Sequence, residues 1–91
     1  MVWITDSFEI KGEHGLSHAP GVVVIFEVQK NTAIPTVGAQ VELRRPGSEP
    51  ISVPVGEIKD HGSRAAWRVG KSFFFQGLTL KDVPAGTKLS W

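Results

Sequence analysis

Residues 73–91 read Phe-Phe-Phe-Gln-Gly-Leu-Thr-Leu-Lys-Asp-Val-Pro-Ala-Gly-Thr-Lys-Leu-Ser-Trp, and this stretch decides the fold. Alternation sends Phe73 and Phe75 to one face of a strand and Phe74, Leu78 and Leu80 to the other. Burying each ring fully contributes about 1.5–3 kcal/mol, so this strand is expected to dominate core stability. Leu80 to Gly86, with Pro84 and Gly86 inside it, reads as a compact turn, and Thr87 to Leu89 as a final strand. A long buried strand, a tight turn and a closing strand are how a small barrel is zipped shut.

The rest of the chain agrees with that reading. Ten glycines and six prolines among 91 residues cut it into short runs, none with a helical period. The runs are rich in Val, Ile, Phe and Thr, which suit a pleated, half-buried surface. In Val2 to Lys11, Phe8 and Ile10 alternate with Glu9 and Lys11, predicting a strand with Phe8 and Ile10 on its dry face. Gly12 to Gly21 reads as a glycine-rich surface loop. Val22 to Val28 is apolar on both faces, which predicts a central strand covered on both sides. Lys30-Asn31-Thr32 is a turn in which Asn31 tolerates the left-handed conformation.

Ile34 to Gly38 is a short extended piece, Ala39 to Arg44 alternates as a strand, and Pro46-Gly47 centres a hairpin-type loop. Ile51, Val53 and Val55 share a face; Pro54 marks an edge, and the apolar parity changes by Ile58, predicting a bulge at Gly56. Asp60-His61-Gly62 suggests a turn, and Ala65 to Val69 a short strand holding Trp67. The count is six or seven strands in an all-β, small closed antiparallel barrel, a closure that removes exposed edges. Ninety-one residues are one domain, 1–91, large enough to bury roughly two-thirds of the unfolded surface.

Composition narrows the function classes. Zero cysteines exclude a disulfide and permit a reducing compartment. The longest apolar run, Val22 to Phe26, falls far short of the ~20 residues of a membrane-spanning helix. The start of the chain lacks the basic and apolar regions of a secretory signal, so a cytoplasmic location is the expectation. A net charge of +1, with ten basic and nine acidic side chains interspersed, gives no vote for a polyanionic partner.

The order of segments resembles the second domain of elongation factor Tu and related translation GTPases. Phe8-Glu9-Ile10-Lys11-Gly12 matches the family's opening Phe-x-Ile-x-Gly strand, Val22 to Val28 its Val-rich strand, and Val37-Gly38-Ala39-Gln40-Val41-Glu42-Leu43 its Val-Gly-x-x-Val-x-Leu segment. Ile58 takes the place of the hydrophobic residue before the variable connection. Phe73 to Leu78 and Asp82 to Leu89 match the closing strand, turn and Gly-x-x-Leu. The resemblance covers almost the whole chain and implies a small antiparallel barrel. In the factors that barrel packs beside a nucleotide-binding domain and helps hold the acceptor end of aminoacyl-tRNA. Here no Gly-x-x-x-x-Gly-Lys-Ser/Thr loop exists, so GTP is not bound by that mechanism. The family's Gly-Arg-Gly after the first strand is replaced by Glu13 to Gly21, its Gly-Arg pair in the second strand by Phe26-Glu27, and an acidic position by Lys59.

No catalytic constellation is legible. Adjacent Asp60 and His61 point apart on a strand and form no relay, and no strained nucleophile turn is present. Glu13-His14 and His18, with Asp60-His61, are the only material for a metal site, and Gly15 and Pro20 oppose the helix that would align the first two histidines. No metal or other cofactor is expected. Arg44, Arg45, Arg64, Trp67, Arg68 and Lys71 interleave cations with an aromatic ring, as an RNA contact requires. Trp3 and Trp91, near opposite chain ends, would form a protein-binding patch if exposed together and a barrel plug if buried. The expectation is a stand-alone, non-enzymatic binding module for a protein partner, with RNA or a translation-related role as the alternative and a metal-binding or hydrolytic protein as the weaker one.

Overall fold

The two-faced apolar run becomes strand β2 (Gly21–Gln29), which pairs antiparallel with β6 (Arg68–Gln76) through nine consecutive residue pairs, from Gly21–Gln76 to Gln29–Arg68. This is the longest ladder of the computed structural model, which describes residues 2–11, 19–62 and 66–91. The other strands are β1 (Val2–Ile10), β3 (Gln40–Arg44), β4 (Ile51–Pro54), β5 (Glu57–His61) and β7 (Lys88–Ser90), with a 3-10 turn at Leu80–Asp82. All seven lie in one antiparallel sheet of order β4-β3-β7-β1-β2-β6-β5. Among the described residues no helix is long and apolar enough to cross a membrane.

The sheet curls around one core. Val22, Val24 and Phe26 of β2, Phe73 and Phe75 of β6, Val41 and Leu43 of β3 and Leu89 of β7 belong to a single buried cluster, although the strand order separates them widely. The Phe26 and Phe73 rings meet edge to face at 4.7 Å between centroids, a favoured aromatic geometry.

The expected ladder closure is not found, because β4 and β5 stand at the two ends of the strand order. They are consecutive in the chain, joined by Val55-Gly56, and each pairs away from the other, β4 with β3 and β5 with β6. Val55 still bonds the β3 side, donating to the Ala39 carbonyl at 3.0 Å, while the Gly56 N–H already donates to Phe74 at 2.8 Å. The parity change expected at Gly56 is this handover, and it brings Ile58 onto the core.

Four local readings also change. Trp67 lies in a turn, and β6 starts at Arg68 and runs unbroken through Gly70 and Lys71, held by β2 on one side and β5 on the other. His61 ends a strand, paired with Gly70, where a turn was expected. Gly77, with a φ of +82°, ends β6 and turns Leu78 back onto the core, while Leu80 is left exposed on the 3-10 turn. Asn31 does take the left-handed conformation, with a φ of +72°, in the turn after β2.

The fourth change matters most. Along β1 the partners run Ile4–Phe26, then Asp6–Ile25, so Thr5 is an extra residue, a β-bulge. Its hydroxyl donates to the Ile25 carbonyl at 2.9 Å. One inserted residue exchanges the faces of everything beyond it. Val2 and Ile4 therefore pack on the core, and Phe8 and Ile10, expected inward, lie opposite Val23 and Gly21 on the outer face, with Phe8 46% exposed.

Close approach of β2 to β6 makes Gly21 necessary: a Cβ there would lie 2.7 Å from the Phe74 ring and against the Phe75 carbonyl. Gly21→Ala should lower stability by about 1–3 kcal/mol through overpacking. Phe26→Ala should lower it by about 3–5 kcal/mol by opening a cavity, both read from urea unfolding midpoints.

Candidate functional site

Trp3 and Trp91 are brought to one place by the pairing of the chain ends. Val2 pairs with Leu89 and Trp3 with Lys88, so the start of β1 lies against β7. The strands β1 and β2 are in register only up to Ile4–Phe26, and past that pair a concavity of about 450 Å³ opens between their ends. Its walls include Val2, Trp3, Val28, Arg68, Leu89 and Trp91.

The two tryptophans differ in attachment. Trp91 is 45% exposed; its ring lies 5.9 Å from the centroids of both Phe26 and Phe73, and its indole N–H donates to the Ala33 carbonyl at 3.1 Å. It is at once a lid on the core aromatics and a wall of the concavity. Trp3 is 60% exposed, with the Lys88 ammonium 4.2 Å from its ring centroid, a cation–π contact. Trp3 is thus exposed, while Trp91 is part exposed and part packed over the core rings.

Of the six residues proposed for RNA, the five that the structure describes are dispersed. Arg44 pairs across from Lys88 and holds Glu42 at 2.7 Å, while the Arg45 guanidinium donates to the Glu49 carbonyl at 2.9 Å. Arg68 lies 3.8 Å from Glu27, and Lys71 is ion-paired with Asp60. Trp67 is 68% exposed, its carbonyl accepting the Lys30 N–H at 2.7 Å. Three strands separate β3 from β6 in the sheet order, so these cations form no continuous stripe. Arg64, His14 and His18 lie outside the described residues. No group of three or more His, Cys, Asp or Glu that could hold a metal exists among the described residues.

Two features escaped the sequence. His61 Nε2 lies 2.8 Å from the Ser72 hydroxyl, a cross-strand contact between β5 and β6. Asp60 turns to Lys71, so no carboxylate of that pair orients the imidazole for a relay. Lys88, an ordinary surface lysine by sequence, sits on Trp3 only because β7 pairs with β1.

Because Trp91 covers core rings and Trp3 does not, their truncations should separate. Trp91→Ala should lower stability by about 1–3 kcal/mol, and Trp3→Ala by less than about 1 kcal/mol, measured by chemical denaturation. Comparison with known proteins found no matching family model, no matching curated protein and no matching solved structure.

Proposed function

We propose that this chain is a non-enzymatic binding module that recognises a protein partner through the Trp3–Trp91 concavity. One observation carries the reading: two exposed tryptophans from opposite ends of the chain wall a single concavity of about 450 Å³. Tryptophan is among the residue types enriched at the few positions that dominate binding energy in protein interfaces. The Trp91 N–H is already satisfied by Ala33, so a partner can meet its exposed ring surface without having to supply an acceptor. We read the curled sheet as a barrel of the translation-factor second-domain kind. The serial order of the matched segments, and the joining of the two sheet ends by Val55-Gly56, support that reading.

A nucleic-acid partner is the second reading, favoured by Lys88 on Trp3 and by Arg68 on the wall of the same concavity. The carboxylates beside Arg44, Arg68 and Lys71 oppose it.

Quantitative recovery from extracts of the native cells, with the wild-type chain and Trp3→Ala compared, tests the first reading. At least one protein should be retained by the wild type and reduced on the order of tenfold by the variant. Recovery unaffected by Trp3→Ala would overturn it. If RNA is the partner, binding measured by anisotropy should fall steeply with salt and with Arg68→Glu.

A further inference from the structure

The bulge at Thr5 builds a second recess, separate from the tryptophan concavity. The outer face of a sheet that meets solvent is ordinarily polar. Here Phe8 and Ile10 of β1, Val23 and Ile25 of β2 and Phe74 of β6 line an outer groove of about 210 Å³. Phe74 is fixed there: a Cβ at Gly21 would lie 2.7 Å from its ring and one at Gly56 3.2 Å, so the ring fills space the two glycines leave.

Polar groups interrupt that lining at His61 and Ser72 and at the charged pair Glu57 and Lys59. Ser72, 4% exposed, and His61 both line the groove and are joined at 2.8 Å. A mostly apolar recess with a few convergent polar groups is how small-molecule sites are built. The charged groups nearby compensate one another, Lys59 lying 3.6 Å from Glu57 and Lys71 paired with Asp60. An ionic ligand would compete with those partners for charge already compensated, whereas a hydroxyl or ring N–H meets the serine–imidazole pair without doing so. The volume is below the ~300–1,000 Å³ of sites for drug-sized ligands, which selects a single ring or a small fused pair.

We propose that this groove binds a small, uncharged aromatic molecule carrying one hydroxyl or ring N–H, packed on Phe8 and Phe74 and hydrogen-bonded at the His61–Ser72 pair. The site stands on residues that the tryptophan concavity does not use, so either can fail without the other.

Titration of the isotope-labelled full chain with 4-methylphenol or indole, followed by methyl resonances of Val23 and Ile25, tests it. Saturable shifts at those methyls are expected, with weaker binding of 4-methylbenzoate. Ser72→Ala should weaken 4-methylphenol roughly five- to tenfold, the loss of one hydrogen bond. His61→Ala, at an exposed position, supplies the same reading should Ser72→Ala disturb folding. Absence of saturable shifts at millimolar ligand would overturn the proposal. So would equal affinity for 4-methylbenzoate, or unchanged affinity in His61→Ala.

Discussion

The ladder between β2 and β6 is the constraint on which the rest depends. Its nine pairs set Val22 against Phe75 and Val24 against Phe73, placing the largest buried rings and the β-branched residues on one surface. Every other strand reaches the core by leaning on this pair: β1 on β2, β5 on β6, and β7 and β3 beyond them. The close approach requires glycine at position 21. Apolar side chains stand on both faces of this ladder, with Val23, Ile25 and Phe74 opposite the core face, and the core covers only one of the two.

A single inserted residue decides how the second surface is used. With Thr5 out of register, Val2 and Ile4 join the core and the aromatic ring of Phe8 passes to the outer face. The same displacement accompanies the parting of β1 and β2 beyond Ile4, where the tryptophan concavity opens. Both recesses thus trace to one irregularity in β1, at opposite ends of the same strand. Bulges commonly re-aim side chains in this way.

Charge plays a local part. The cations of the described strands are mostly answered by carboxylates within 4 Å, as for Arg44, Lys59, Arg68 and Lys71. Such exposed pairs add little stability, a median of about 0–1 kcal/mol. Their effect is to leave the two recesses to be read by shape and aromatic surface. Lys88 is the exception, spending its charge on the Trp3 ring.

The sequence by itself determined the class of fold and most of the strand positions. Alternation, glycines and prolines act locally, and they located β2, β3, β4, β7, the left-handed Asn31 and the parity change at Gly56. Pairing was beyond it, because register depends on residues distant in the chain. Nothing in Thr5 marks a bulge, so Phe8 and Ile10 read as core. Nothing in Gly70-Lys71 shows that partners on both sides would carry β6 through them. The candidate residues Trp3 and Trp91 were legible as types, large aromatics near the ends. Only the tertiary structure could bring them onto one concavity, seat Lys88 on Trp3 and join His61 to Ser72, since each contact is made across strands whose adjacency is fixed by the packing of the whole sheet.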